Sequence, residues 1–166
     1  MKKRYITGIF PIISFAMDKG IEPNTILLGT HLSEKCLLDS NKTIDLEQEL
    51  TMIRNLSAQY PNPELSWELG RYYHARAHGV IGSLIVNAPT LGDAYTCILE
   101  YLMLSHSFFS IYTETVSGRV RVYPIDNNLP PDLLPFLVER DFVAGLTVLE
   151  DLFPDKKTEI QNPGSP

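Results

Sequence analysis

Residues 89–94, Pro-Thr-Leu-Gly-Asp-Ala, mark the beginning of a helix more clearly than any other stretch of the chain. The Thr90 side chain can accept the backbone N–H three residues on, and Asp93 stands at that third position as a reciprocal capping partner. Asp93 also places a negative charge where a helix N-terminus favours one. Apolar residues follow on two sides, which predicts a helix covered on more than one face and central to the fold. They are Leu91, Ala94, Tyr95, Ile98, Leu99, Tyr101, Leu102 and Met103.

The segments before this point are predicted to be helical. Asp45 or Thr43 can cap a helix over "DLEQELTMIRNLSAQY", where apolar residues recur on one face. A second helix is predicted over "PELSWELGRYYHARAHG", with Pro63 in its first turn and Gly79 as its end. The short apolar run 80–86 fits a buried helix or a buried strand, and its helical spacing favours a helix.

Near the N-terminus, "FPIISFAMDKGIEPNTILLGTH" predicts two short helices separated by a turn at Gly20. Two short helices separated by a turn are also typical of a helix-turn-helix motif. However, the second helix carries no Arg or Lys and offers only aliphatic side chains to a DNA groove. DNA recognition by this segment is therefore disfavoured.

The apolar period changes from 3.6 to 2 at residues 109–123, which predicts a β-hairpin turning at Ser117-Gly118. A long helix follows from about Pro131, because Pro135 is tolerated only in a first turn. We therefore predict an α+β fold, with several helices packed around a small antiparallel sheet. The apolar stripe of the long helix comprises Leu134, Leu137, Val138, Phe142, Leu146 and Leu149. Residues 154–166 hold one candidate short strand.

Composition limits the class of protein. A chain of 166 residues with 44% hydrophobic residues has the size of one domain and can bury a core. Its formal charge of −6 is unlike that of surfaces that neutralise phosphates. The apolar segment after the basic N-terminus is too short and too interrupted for a signal peptide or membrane span, so a cytoplasmic location is expected. Cys36 and Cys97 lack metal-ligand spacing and are expected to be reduced.

Few residues point to catalysis. His74 and His78 have the i, i+4 spacing of a metal site, but without the Glu of an HExxH motif a solvated polar face is favoured. Ser105 precedes His106, yet adjacent residues do not generally face each other and no GxSxG elbow is present. Pairs of carboxylates are interpreted as solvated helix surface. We expect no enzyme activity, no metal and no cofactor.

An aromatic set is the best candidate for a binding site. Its residues come from two helices and the hairpin, and they could converge on a cavity for a small molecule. The alternative is that they fill the interface between the helices and the sheet. The candidate ligand-binding residues are Tyr72, Tyr73, Tyr95, Tyr101, His106, Phe109, Tyr112 and Tyr123.

The order of these motifs resembles the N-terminal, arabinose-binding-like effector domain of AraC-type transcription regulators. The resemblance rests on Leu69-Gly70, on Gly79 with Gly82, on Ala88 to Ala94, on Tyr101 and on the hairpin around Gly118. It runs from about Ile9 to Phe153.

This resemblance implies a regulatory domain that binds an unidentified small effector and can form a homodimer. Residues 1–153 would be the effector-binding and dimerisation domain, and residues 154–166 the start of further strands or a tail. The family's paired helix-turn-helix units do not follow within the chain. The resemblance therefore implies a truncated product that contacts DNA only through absent C-terminal units. A dimerisation or partner-binding module without a ligand is the alternative.

Overall fold

The computed structural model describes residues 3–101, 106–117, 119–125 and 128–152, except for the side chains at positions 91, 95, 99, 101 and 120. Helices dominate this part of the chain, together with two antiparallel two-stranded sheets, so the predicted α+β class is confirmed. The helices are α1 Phe10–Asp18, α2 Pro23–Leu27, α3 Leu46–Gln59, α4 Leu65–Gly70, α5 Gly79–Val86, α6 Leu91–Tyr101 and α7 Leu134–Leu152. The strands are β1 Lys3–Tyr5, β2 Thr43–Asp45, β3 Ser110–Val116 and β4 Arg119–Ile125. None of the described helices has the length and apolar character that crossing a membrane requires.

The sheet formed by β1 and β2 was not predicted. Its three residue pairs run from Lys3 opposite Asp45 to Tyr5 opposite Thr43, and strands this short show no clear alternation in a sequence. Asp45 ends β2 and caps α3, with its backbone N–H donating to the Gln48 side chain at 2.9 Å. The predicted cap is confirmed, and the N-terminal strand is tied to the start of α3.

The main core lies between helices rather than on the hairpin. Buried residues of α1, α3, α4 and α7 form one cluster, which Phe108 and Phe109 join just before β3. The hairpin residues from 110 to 125 are exposed or half-buried wherever their side chains are described. The helices rather than the hairpin therefore supply most of the main core, because two short strands offer too little apolar surface to organise one.

The helix predicted over residues 63–79 ends at Gly70 instead. Tyr73 turns into the core and its hydroxyl donates to the Gly8 carbonyl at 3.2 Å. The Ala75 N–H donates to the Asp151 carboxylate at 2.7 Å, and residues Ala75–His78 form a 3-10 turn. These distant partners form hydrogen bonds with polar groups that would otherwise be satisfied within a helix. They therefore outweigh the preference of the local sequence for a helix.

Helix α5 confirms the helix predicted over residues 80–86, although it begins at Gly79. Helix α6 confirms the predicted start near Thr90, whose hydroxyl accepts the Asp93 N–H at 3.1 Å. Among the described side chains of α6 only Ala94 is buried, in a small second cluster with Ala75, Ile85 and Val148. The second apolar face was predicted from Leu99 and Met103, which lie outside the described side chains, so the double covering of α6 stays a prediction.

Helix α7 begins at Leu134, so that Pro135 falls in the first turn as predicted. The predicted apolar stripe is not its buried face, since of its six residues only Leu137 is buried. The buried face of α7 is therefore turned about the helix axis relative to the predicted stripe. It includes Arg140, three residues after Leu137, whose side chain points into the protein. The buried residues of α7 are Leu137, Arg140, Val143, Ala144, Thr147 and Val148.

Close packing of α4 on α7 depends on Gly70. A Cβ at this position would lie 2.6 Å from Val143 Cβ and 2.9 Å from the Arg140 carbonyl oxygen. We expect Gly70→Ala to lower the free energy of unfolding by about 1–3 kcal/mol, because the helices must separate to admit the methyl group. Urea denaturation measures this change.

Gly145, within α7, is the matched control. A Cβ there meets nothing within 4 Å, so Gly145→Ala is expected to stabilise the protein by about 0.5–1 kcal/mol through helix propensity. Equal effects of the two alanine variants would contradict the packing argument.

Candidate functional site

A buried arginine lies at the centre of the candidate site. Arg140 is 1% exposed, and its guanidinium is sandwiched between the rings of Tyr73 and Phe108, 4.5 Å from each centroid. It forms an ion pair with Asp141 at 2.9 Å and donates to the His106 carbonyl at 3.3 Å. Aromatic faces and a carboxylate therefore replace the water that a guanidinium loses on burial.

Two buried ion pairs hold the segment that leads into β3. Asp141 accepts the Phe108 N–H and the Ser107 hydroxyl, both at 2.7 Å. From the opposite side, Arg4 pairs with the fully buried Glu49 and donates to the His106 and Ser107 carbonyls at 2.8 and 2.9 Å. Each of the two cations thus has a carboxylate partner, and residues 106–108 are anchored to β1, α3 and α7 together.

Two histidines stack against this network. The rings of His78 and His106 lie 5.1 Å apart in stacked orientation, and His106 Nε2 lies 2.8 Å from the Ala77 carbonyl oxygen, to which its N–H donates. Both ring nitrogens of His78 are buried without a well-aligned hydrogen bond to a described residue, and the Tyr73 backbone interacts with the ring in a way that raises its pKa.

Burial lowers the pKa of both histidines to about 4, and the positive charge of Arg140 acts in the same direction. Both imidazoles are therefore neutral at neutral pH.

An apolar cavity of about 510 Å³ opens on one side of the histidine pair. Its walls come from α5, α6, the hairpin and α7, and they include Ile85, Ile98, Ile111, Val122, Phe142 and Leu149. Its polar end consists of His78, His106, Ser107, Arg140 and Asp141. A mostly apolar cavity with a few polar groups at one end has the form of a small-molecule site.

An open cleft of about 740 Å³ lies on the other side of the histidine pair. His78, Ile81 and His106 line both spaces and form the wall between them. The cleft carries basic side chains, but Arg71 pairs with Glu150 at 2.5 Å and His74 with Asp151 at 3.0 Å.

Four of the predicted site residues lie around these two spaces. His106 and Phe109 line the apolar cavity. Tyr73 lies one layer deeper, behind Arg140. Tyr72 lines the open cleft instead, where its hydroxyl donates to Asp18 at 2.8 Å.

Of the other four predicted residues, two lie elsewhere and two have side chains that the structure does not describe. Tyr112 and Tyr123 form an exposed cross-strand pair, 6.1 Å between centroids, and line neither space. The side chains of Tyr95 and Tyr101 lie outside the described part of the structure. The described members of the aromatic set are thus divided between the two spaces and the outer face of the hairpin.

Sequence reasoning missed the charged residues of the site, namely Arg4, Glu49, Arg140 and Asp141. One signal was present in the chain: Arg140 follows Leu137 by three residues and precedes Ala144 by four, on the buried period of α7. A charged residue on an apolar helical period is a candidate for a buried, paired role.

The described residues do not form the metal site that the spacing of His74 and His78 offered. His74 lies in an extended link while His78 ends a 3-10 turn, so the two imidazoles do not share a helix face. Nowhere in the described ranges do three His, Cys, Asp or Glu side chains group to hold a metal ion. Ser105 lies outside those ranges, and Glu68 and Glu150 are engaged in ion pairs.

Residues 20–162 match the arabinose-binding domain of AraC transcription regulators, an N-terminal domain. The chain belongs to this family. The resemblance inferred from the motif order is therefore confirmed. The family is one of regulatory ligand-binding domains rather than enzymes.

Two curated relatives are similar to this arabinose-binding-family domain. Both are uncharacterized HTH-type transcriptional regulators, one from Mycobacterium bovis and one from Mycobacterium tuberculosis. Each is 24% identical over 132 residues, which cover 79% of this chain and 38% of the relative. The chain thus spans well under half the length of the regulators that it matches.

Proposed function

We propose that this domain senses a small effector bound in the apolar cavity. The observation that carries the proposal is the cavity itself, about 510 Å³ with apolar walls and a buried polar end. Small-molecule sites have this composition and volumes of roughly 300–1,000 Å³. Family membership supports a regulatory ligand-binding role, and the cavity is the part of the structure that we propose for that role.

The elements around the cavity suggest how an effector acts. Val122 of the hairpin and Phe142 of α7 line the cavity and are 54% and 60% exposed. An effector bound between these two side chains buries their exposed apolar surface and favours one position of the hairpin relative to α7. The gain is roughly 25 cal/mol for each Å² of apolar surface removed from water. It shifts the equilibrium by its difference in affinity for the two arrangements.

We further propose that residues 1–153 form the sensing unit and that DNA binding belongs to parts of a regulator outside this chain. The chain's net charge of −6 provides no excess of cations for phosphate contacts. The relatives are HTH-type regulators of greater length. In a complete regulator, effector and DNA affinities must change each other by the same factor.

A cavity-filling variant tests the effector site. Gly145 lines the apolar cavity, and a Cβ there meets no atom within 4 Å, so a Phe side chain can enter without displacing the core. In a metabolite screen by thermal shift, we expect some compound to raise the melting temperature of the unmodified chain. Gly145→Phe is expected to weaken that compound at least about tenfold by calorimetry, a loss of about 1.4 kcal/mol.

Gly145→Ala is the control and should keep full affinity. A compound that binds both variants as tightly as the unmodified chain occupies another place, for example the open cleft, and this result would refute the proposed site.

A dimerisation module without a ligand is the second candidate. The exposure of Val138 and Phe142 on α7 favours it, since exposed apolar side chains on one helix can form a contact between copies. Sedimentation distinguishes the two candidates. A dimer that no screened compound alters supports this candidate, whereas a compound blocked by Gly145→Phe supports the effector site.

A further inference from the structure

The walls of the apolar cavity are poorly suited to a sugar. Away from the polar end, the described part of its lining is made of aliphatic side chains with Phe, Pro and Gly. Each hydroxyl of a bound sugar needs a hydrogen-bond partner, and one left without a partner costs about 1–3 kcal/mol. A ligand that fits these walls therefore has an aliphatic or alicyclic body.

The polar end is poorly suited to a charged group. Arg140 already pairs with Asp141, and Arg4 with Glu49, so both buried cations are compensated. An anionic head would be desolvated beside the Asp141 carboxylate without gaining an unpaired cation. A cationic head would meet two carboxylates that already have partners. The balance of charges therefore favours an uncharged head group.

His78 has the free hydrogen-bonding capacity that such a head group requires. The Tyr73 backbone interacts with the ring, but neither ring nitrogen has a well-aligned hydrogen-bond partner in the described part of the chain, and a neutral imidazole offers one donor and one acceptor. Stacking on His106 holds the ring in place. The turn that carries His78 is packed on Gly82, where a Cβ would lie 1.7 Å from the Ala75 carbonyl oxygen.

We propose that the cavity selects an uncharged amphiphile, with an aliphatic or alicyclic body along the apolar walls and a hydroxyl, carbonyl or amide head hydrogen-bonded to His78. This inference rests on the proposed effector site and adds the chemical class of the ligand and a specificity-determining residue. Buried polar groups are almost always hydrogen-bonded in folded proteins. The head group thus completes a bond that the described protein groups leave open.

Calorimetry on the full chain near neutral pH tests the class with three probes: n-octanol, n-octanoate and L-arabinose. We expect n-octanol to bind and n-octanoate to bind at least about tenfold more weakly, since burying an unpaired charge costs more than the 1.4 kcal/mol that tenfold represents. L-arabinose is expected to give no binding heat. His78→Phe keeps an aromatic ring against His106 and should weaken n-octanol about tenfold through the lost hydrogen bond.

His74→Phe is the matched control, because His74 lies four residues earlier and does not line the apolar cavity. It should leave n-octanol affinity unchanged.

The outcomes separate this inference from the proposed site. Equal or tighter binding of n-octanoate, binding of L-arabinose that Gly145→Phe abolishes, or unchanged n-octanol affinity in His78→Phe would overturn the inference. If n-octanol does not bind but Gly145→Phe blocks the binding of another screened compound, the ligand class is overturned and the proposed site is still supported. Binding of n-octanol that Gly145→Phe does not affect refutes the site itself.

Discussion

Arg140→Met is expected to lower the free energy of unfolding by about 3–5 kcal/mol, the usual cost of breaking a buried ion pair. Methionine can occupy the space between Tyr73 and Phe108, but it cannot pair with Asp141 or donate to the His106 carbonyl. The Asp141 carboxylate then stays buried without its cation. Because α7 and the segment before β3 meet at this residue, we expect the whole domain to lose stability.

Urea denaturation measures the loss, and Arg54→Met is the matched control. Arg54 pairs with Asp132 at 3.2 Å on the surface, where the two side chains are 41% and 63% exposed. Exposed pairs of this kind contribute about 0–1 kcal/mol. Similar effects of the two methionine variants would show that Arg140 does not act as a buried structural charge.

Acidification is expected to destabilise the domain through His78 and His106. Burial lowers the pKa of each from its ordinary value of 6.5 to about 4. Between these values the unfolded chain binds protons that the folded chain excludes, so the free energy of unfolding falls as the pH drops through 6.5 towards 4. At about 1.4 kcal/mol per unit of pKa shift, each histidine accounts for a loss of about 3 kcal/mol.

The groups around the histidines set the sign of this effect. A proton on His78 meets Arg140 and the His106 ring, and a proton on His106 meets Arg4 and Arg140. The nearby carboxylates are already paired with the guanidiniums. These groups are Arg4 and Arg140 with Glu49 and Asp141, and the hydroxyl of Tyr73, whose pKa burial raises well above its usual range. The stability that the neutral histidines provide is thus complete above pH 6.5 and is lost below it.

Urea denaturation at several pH values between about 4 and 7.5 tests this prediction. His78→Phe should remove about half of the acid-induced loss, because one of the two buried imidazoles no longer titrates. His31→Asn is the control, since His31 is exposed and has a positive φ that Asn tolerates. A pH dependence that is the same in His78→Phe as in the unmodified chain would contradict the assignment.

Much of the secondary structure could be predicted because its causes are local. Asp45 caps α3, Thr90 accepts the Asp93 N–H, Pro135 lies in the first turn of α7, and β3 and β4 pair around residues 117–118. Capping, proline placement and strand alternation depend on residues within a few positions of one another.

The candidate site was predicted only in part. His106 and Phe109 line the apolar cavity. Tyr112 and Tyr123 were grouped with them because they are aromatic residues of the hairpin, but they lie on its other face. Alternation separates the two faces of a strand, and nothing in the local pattern says which face an incoming helix will cover. In this hairpin the face that carries Ile111, Val122 and Pro124 lines the apolar cavity together with α7.

The sequence by itself determined the α+β class, the family, and the position of most helices and of the hairpin. Only the tertiary structure decided where the helix after Pro63 ends, which face of α7 is buried and which residues form the site. The reason is the range of the forces involved. Arg140 is buried because Tyr73, Phe108 and the His106 carbonyl, from 32 to 67 positions away in the chain, replace the water around its charge. The pattern of residues near Arg140 in the sequence does not indicate partners that lie so far away in the chain.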